Sequence, residues 1–340
     1  MKLIIPSSAA RTSACAAIAT RLFIGLALEA PAIHNGAWIA ALLGGLLAIP
    51  WALALAWLSE CRGRATAPLR LALLVSLVAD SALLFDTVTR SAGYLALDRR
   101  DPAALLIPAA LAALWCVLRG GDAVGYGAMI WARLFPALML VVVLLQLKHY
   151  RPQWLTPVLG PGWRAIGLGG ARSAGRVMLA SGVLLIADDG EKRERSPVSL
   201  LRAYGCGVLA AAGLIVLRLM MTPTMPHGAS WLSRLDSLLV NGRAPLYLQL
   251  PMIALWFAGL MHLLACECFT AAALAHRLLP RLPGWACAAS VLSVAAMLSQ
   301  SKAAKGLIER CVPWTGAILA LCAALAFIPA REGGAKPCAR

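Results

Sequence analysis

Acidic residues are scarce in this chain, as are charged residues of any kind. Aspartate and glutamate together number 15 in 340 residues, and the four charged types make up only 14% of the sequence. Hydrophobic residues make up 61% and fall in repeated blocks. Because a soluble domain needs a largely polar surface around its core, this balance excludes an ordinary soluble protein.

The spacings that hold metals or active-site disulfides are also missing. The chain has ten cysteines and five histidines, but no CxxC and no HExxH-type arrangement. Cys266 and Cys268 are the closest pair of cysteines, and alternate residues on a helix point about 200° apart, so the two do not converge on one ion. We therefore expect no metal and no cofactor, and a packing role for the cysteines.

Two further classes of protein are excluded by what the apolar blocks and basic segments lack. No carboxylate pair and no nucleophile–histidine–acid set occurs within the apolar blocks, so the chain is not expected to be an enzyme. The net charge is +16, yet no basic run is interleaved with aromatic residues as a nucleic-acid groove requires. Lysine and arginine occur mostly in short loops, which predicts contact with anionic lipid.

The apolar blocks are long enough to cross a membrane. A hydrocarbon core about 30 Å thick needs roughly 20 apolar residues of helix per crossing. Ten such blocks leave little chain for a soluble domain, so residues 1–340 are predicted to form a single integral membrane domain, an all-α polytopic bundle of about ten transmembrane helices. The blocks are 13–31, 36–59, 68–96, 102–119, 126–149, 164–187, 200–222, 246–278, 283–300 and 312–330.

The distribution of lysine and arginine among the loops predicts the orientation. With an even number of crossings, both termini lie on one side of the membrane. Placing them inside gives the inner loops the excess of basic residues, including those of the 188–198 loop. The positive-inside rule therefore predicts that both termini are cytoplasmic.

Four ionisable residues lie near the middles of their blocks, namely Arg21, Asp80, Arg133 and Glu267. A charge at that depth costs roughly 2.5–3.5 kcal/mol and usually faces a protein interior or a cavity. Arg21 or Arg133 could pair across helices with Asp80 or Glu267, or the same groups could bind a ligand. Arg133 in particular is predicted to face the bundle interior and to pair with an acid.

The sixth block begins with helix breakers and cations. Discontinuous helices in transporters present free amides to a carboxylate, and irregular backbone at membrane depth is tolerated only inside protein or beside a cavity. We therefore predict that residues 166–170 are non-helical or at least distorted, and that Gly167, Gly169 and Gly170 help to bind an anionic group. Arg172 would supply the counter-charge or anchor the helix to the interface. The alternative is close helix packing through small residues.

The first block has a weaker version of this pattern, with Arg21 and Gly25 ahead of Pro31. The first and sixth blocks occupy corresponding positions if the chain consists of two five-helix repeats, 13–149 and 164–330. Arg21, Gly25 and Asp80 therefore join the candidate ligand-binding residues.

Four stretches resemble one membrane-protein family. They are "NGAWIAALLGGLLAIPWALALAWLSE" (35–60), "GAMIWARLFPALMLVVVLL" (127–145), "WLTPVLGPGWRAIGLGG" (154–170) and "LPMIALWFAGLMHLLACECFTAAALAHRLL" (250–279). In order and spacing they resemble the B subunits of spore germinant receptors, which are related to amino-acid permeases of the APC superfamily. Arg21 stands where that family usually has glycine, and Gly175-Arg176 where it has Gly-Glu.

The resemblance implies a fold of two inverted five-helix repeats, as in LeuT-type and APC-type transporters. It also implies recognition of a nutrient such as an amino acid, signalling of germination, and assembly with A and C subunits in the inner spore membrane. The alternative is a secondary active transporter, permease-like, that moves an amino acid or related solute across the bacterial cell membrane.

Overall fold

The structure, a computed structural model, describes residues 3, 5–60, 67–96, 102–146, 151–156, 162–188, 197–221 and 246–327. Ten α-helices occupy these residues, one for each predicted block. They are α1 (Ser7–Ile33), α2 (Ala37–Glu60), α3 (Ala67–Ala96), α4 (Pro102–Arg119), α5 (Gly121–Gln146), α6 (Gly162–Ala180), α7 (Pro197–Met221), α8 (Leu246–Leu278), α9 (Gly284–Gln300) and α10 (Lys302–Phe327).

Length and apolar composition alone identify three of the described helices as membrane spans, at Ala67–Thr89, Phe257–Leu278 and Lys302–Ala324. A fourth candidate is the pair Leu106–Arg119 and Gly121–Leu134, whose axes bend by 112°. The bend falls at Gly120, whose φ of 90° lies in the left-handed region that favours glycine.

The outer surface of the bundle is apolar and part of its interior is polar. Large hydrophobic side chains such as Val75, Leu209 and Met297 are more than half exposed. Arg21 and Asp80, by contrast, are buried. A contiguous apolar exterior is the surface expected of a protein that faces lipid, and intramembrane charges turn inward for the same reason.

The most extensive helix contacts join α2 with α6, α1 with α7 and α3 with α8. Small residues allow the closest of these approaches. A methyl group at Gly44 in α2 would overlap Ser173 Cβ and lie 2.9 Å from the Ala174 nitrogen in α6. The Tyr204 hydroxyl in α7 donates a hydrogen bond of 2.9 Å to the Gly45 carbonyl, which fixes α7 against the same part of α2.

Helix α6 is continuous from Gly162 to Ala180, so the prediction that residues 166–170 are non-helical is wrong. The physical reason is packing against α2. A Cβ at Gly170 would lie 3.1 Å from Leu43 Cβ, so the glycine permits a close helix approach rather than an opened backbone. Helix α1 likewise runs unbroken through Gly25.

The sixth predicted block, 164–187, does depart from α-helix, but after the end of α6 rather than near its start. After Ala180 the chain continues as a buried 3-10 helix, Ser181–Ile186. The Trp51 indole nitrogen in α2 donates to the Met178 carbonyl at 3.1 Å and to Ser181 Oγ at 3.2 Å, so the transition is hydrogen-bonded from outside the helix. The Arg277 guanidinium donates to the Leu185 carbonyl at 2.6 Å, near the end of the 3-10 segment.

Two short strands connect the beginning of α1 with the end of the 3-10 helix. Strand β1 (Ile5–Pro6) precedes α1, and strand β2 (Ala187–Asp188) follows the 3-10 helix. The two pair in parallel, with Ile5 opposite Ala187. The start of α1 and the end of the sixth segment are therefore held together.

The tenth helix begins earlier than predicted, at Lys302 rather than at residue 312. Pro313 lies inside the helix instead of opening it. Lys302 and Lys305 precede the predicted block and belong to the first turns of the helix, where Lys305 Nζ pairs with Asp86 Oδ1 of α3 at 2.6 Å.

We predict that Gly44→Ala destabilises the bundle, because the added methyl overlaps α6 and overpacking costs about 1–3 kcal/mol. Gly205→Ala in α7 is the matched control, since nothing lies within 4 Å of its Cβ position. Thermal unfolding of the purified proteins in detergent measures both. A melting temperature for Gly44→Ala at or above that of Gly205→Ala would contradict the α2–α6 contact.

Candidate functional site

Three ionisable residues from three helices meet inside the bundle. Arg21 in α1, Asp80 in α3 and Glu267 in α8 each lie well within their helices. Arg21 Nη2 donates to Asp80 Oδ1, and Arg21 Nε lies 3.9 Å from Glu267 Oε1. Of the two alternatives that the sequence left open for these residues, the structure shows pairing across helices for Arg21. We call these three residues the charged cluster.

The charged cluster is almost completely removed from solvent. The side chains of Arg21, Asp80 and Glu267 are 6%, 5% and 2% exposed. Burial at this level carries a large desolvation penalty, which only close pairing and hydrogen bonding offset. One guanidinium faces two carboxyl groups, so the cluster has one negative charge in excess when both carboxyls are ionised.

The excess acid is not matched by hydrogen bonds. Among the described residues, Asp80 Oδ2 has no hydrogen-bond partner, and the Glu267 carboxyl interacts with the Ser81 hydroxyl without reaching ordinary hydrogen-bond geometry. The hydroxyl of Ser81, next to Asp80, accepts from the Cys268 thiol at 3.7 Å. A buried carboxyl with unused acceptor positions is an unusual arrangement that calls for a functional reason.

A second polar contact lies beside the cluster and ties α5 to α1. The Trp131 indole nitrogen donates to Thr20 Oγ1 at 3.1 Å, and Thr20 donates to the Ala16 carbonyl at 2.8 Å. Any side chain at Gly259 of α8 would overlap the Trp131 ring, so this glycine leaves space for the indole of α5 to pack against α8. Trp131 and Trp51 were not among the residues predicted from the sequence, although the polar N–H of an indole in an apolar helix is a signal for an internal hydrogen bond.

Arg133 does not join the charged cluster. Its side chain is exposed on α5, and no acid among the described residues forms a salt bridge with it. The prediction that Arg133 faces the interior and pairs with an acid is therefore wrong. The inward face of this part of α5 is occupied instead by Trp131, which is buried.

The glycine-rich part of α6 is divided between two faces of the helix. Gly167 is exposed with nothing near its Cβ position, whereas Gly169 and Gly170 are buried. Arg172 is half-buried one turn further along. Gly25 lies in α1, and its surroundings fall outside the described residues. Of the eight candidate residues, the structure brings Arg21 and Asp80 into contact and adds Glu267.

The charged cluster does not have the composition of a metal site. In the part of the chain that the structure describes, no group of three or more histidine, cysteine, aspartate or glutamate side chains is arranged to hold a metal ion. Arg21 is already the cation that contacts Asp80 and faces Glu267.

Solved structures with the same architecture are membrane transporters. A mutant form of a manganese transporter from Eremococcus coleocola superposes with a TM-score of 0.63 at 13% identity, covering 96% of this chain and 78% of that one. Mhp1, a nucleobase-cation-symport-1 family transporter in a closed conformation with bromovinylhydantoin bound, gives 0.60 at 13% identity, with coverage of 95% and 75%. MhsT in complex with L-phenylalanine gives 0.54 at 12% identity, with coverage of 94% and 87%.

These similarities define the class. The chain is an all-α polytopic membrane protein with the LeuT-type transporter fold, as the sequence analysis predicted. At this level of identity the similarity shows the fold and not the activity. No protein-family profile matches the sequence, and no curated protein matches it.

We predict that Arg21→Met lowers the free energy of unfolding by about 3–5 kcal/mol at neutral pH, because it leaves two buried carboxyl groups without their cation. Lys305→Met is the matched control. It removes a cation from the more exposed Asp86 pair and should cost no more than about 1 kcal/mol. Thermal or denaturant unfolding in detergent measures both. Equal losses in the free energy of unfolding would show that the buried cluster contributes no more to stability than the more exposed Lys305–Asp86 pair.

Proposed function

We propose that this chain is a secondary active transporter for a small solute of the amino-acid class. The observation that carries the proposal is the charged cluster, which joins α1, α3 and α8 inside a LeuT-type fold. Ionisable groups within membrane spans are rare because burying them costs free energy. Where they occur, they usually line the pathway of a solute or an ion. In secondary transporters the sites lie near the bilayer midplane, between the repeats.

The chemistry of the cluster suits a zwitterion. Arg21 supplies a guanidinium for a carboxylate, and the carboxyl groups of Asp80 and Glu267 supply acceptors for an ammonium group. The neighbouring structure of MhsT contains L-phenylalanine, a solute of this kind. The resemblance of residues 35–60, 127–145, 154–170 and 250–279 to amino-acid permease relatives supports the same class.

In the arrangement described here the cluster is closed, with each side chain at most 6% exposed. Solute access therefore requires α1 to separate from α3 and α8, and a solute carboxylate would replace Asp80 as the partner of Arg21. Exchange of one buried ion pair for another limits the cost of the movement, because the guanidinium is never left unpaired. Rocking of one group of helices against another supplies such a movement in transporters.

The proposal includes a location and an orientation, and the orientation rests on the distribution of lysine and arginine among the loops. The chain would lie in the membrane of a bacterial cell, with both termini and the 188–198 loop cytoplasmic. Residues 13–149 and 164–330 would be the two inverted repeats, with anionic lipid around the basic loops. No nucleic acid, A subunit or C subunit is needed for this activity.

A second candidate function is supported by the sequence motifs alone. The order of the four stretches resembles germinant-receptor B subunits, and such a protein would bind a nutrient and signal germination in a spore membrane together with A and C subunits. A sensor would bind the solute without moving it. The two functions are therefore separated by measuring uptake and binding on the same protein.

The test uses the full chain in lipid vesicles and a mixture of the radiolabelled standard L-amino acids. We expect time-dependent uptake above that of protein-free vesicles. Arg21→Met should abolish it by removing the carboxylate partner. Arg133→Met, which removes an exposed arginine from α5, should retain it.

Three outcomes would contradict the proposal. Binding of an amino acid without any uptake would favour the sensor function instead. Neither binding nor uptake of any amino acid would exclude the proposed solute class. Equal loss in Arg21→Met and Arg133→Met would show that the cluster is not the site.

A further inference from the structure

The charged cluster has one negative charge too many for a closed, buried site. Arg21 bonds directly to Asp80, whereas its Nε lies 3.9 Å from the Glu267 carboxyl, beyond hydrogen-bond distance. Glu267 is thus the less strongly compensated acid and also the more buried, at 2% exposure. An ionised carboxyl in that position would bear most of the desolvation cost.

The described surroundings of Glu267 offer no second cation. Arg21 faces it from α1, Asp80 and the Ser81 hydroxyl from α3, and the thiols of Cys266 and Cys268 adjoin it on α8. His262, also on α8, is directed towards Gly127 of α5, with its Nδ1 3.4 Å from the Cβ position there. In α4, α5 and α9, which also pack against α8, the described charged residues are exposed and lie outside the cluster; these are Arg119, Asp122 and Arg133.

Only a small positive ligand can restore neutrality without opening the bundle. A metal ion needs several oxygen or nitrogen donors, and the Arg21 guanidinium already contacts Asp80 and lies 3.9 Å from Glu267. A proton needs neither. It binds to one carboxyl oxygen by forming an O–H bond, and neither oxygen of Glu267 is held in a hydrogen bond of ordinary geometry within the described residues.

We infer that Glu267 is the proton-binding group of this protein and that solute movement is coupled to the proton it carries. The second half of this statement rests on the proposed transport function; the first does not. Hydronium from the open side gives its proton to the Glu267 carboxylate and leaves water. When the group faces the other side, the O–H bond breaks and the proton passes to a water molecule there, which leaves the carboxylate and hydronium.

Protonation of Glu267 has a mechanical consequence. A neutral carboxyl attracts the Arg21 guanidinium less than a carboxylate does, so the attachment of α1 to α8 weakens while the Arg21–Asp80 bond between α1 and α3 persists. Loss of the proton restores the three-helix attachment. The occupancy of one carboxyl group therefore biases which helices α1 is bound to, and this is the link that ion coupling requires.

The test of the proton site uses infrared difference spectra of the full chain in lipid vesicles, recorded between neutral and acidic pH with the proton as the only added ligand. We expect the wild type to gain a C=O stretching band of a protonated buried carboxyl. Glu267→Gln should lack that band, while Asp86→Asn, which changes an acid outside the cluster, should keep it. Identical spectra for wild type and Glu267→Gln would overturn the assignment.

A second variant covers the case in which Glu267→Gln does not fold. Glu267→Asp keeps a titratable group on a shorter side chain, so the band should persist at a shifted frequency. An unshifted band in Glu267→Asp would show that another residue holds the proton.

Coupling is then measured by amino-acid uptake into the same vesicles under an inward proton gradient. For one coupled proton, each pH unit should raise accumulation about tenfold, and Glu267→Gln should not respond to the gradient. If wild-type uptake does not change with the proton gradient, the coupling claim is wrong, whereas the proposal of transport is unaffected. If no amino acid is taken up but the infrared band is still assigned to Glu267, the proposed transport function is wrong, whereas the assignment of the proton site is unaffected.

Discussion

The pairing of one arginine with two carboxyl groups in a low-dielectric interior is the constraint on which the arrangement of α1, α3 and α8 depends. Each of these charges alone would be costly at membrane depth, and together they are tolerable only if the three helices stay in contact. The cluster thus fixes helix positions more specifically than apolar packing does, since lipid and leucine are equally good neighbours for an apolar face. The remaining close contacts, between α2 and α6 and between α1 and α7, rely on small residues instead.

The helices themselves were predictable because hydrocarbon thickness dictates their length. All ten blocks correspond to helices. The differences lie at helix ends such as the start of α10, which includes Lys302 and Lys305 ahead of the predicted block, and there Lys305 pairs with Asp86 of α3. The LeuT-type fold was predicted from a resemblance and is supported by the solved transporters. Orientation and repeat boundaries stay predictions.

The candidate site was predictable only in part. Mid-block position identified Arg21, Asp80 and Glu267 correctly as interior groups but placed Arg133 in the same class, because depth along a helix does not say which face a residue occupies. The glycines of α6 were misjudged for a related reason. Glycine permits both an opened backbone and a close helix contact, and Leu43, which decides between them at Gly170, is remote in sequence. The real departure from α-helix, at Ser181–Ile186, contains only one glycine and is held by Trp51 and Arg277.

The central claim is that Arg21 and Asp80 act as one unit. A double-mutant cycle on the free energy of unfolding, with Arg21→Met, Asp80→Asn and the double variant, measures that coupling directly. The account predicts that the double variant loses less free energy of unfolding than the two single losses added together, by about 2 kcal/mol or more. The reason is that Arg21→Met leaves Asp80 buried without its cation, while Asp80→Asn leaves Arg21 without its direct ionic contact. Losses that add to within about 0.5 kcal/mol would show that the two residues do not interact.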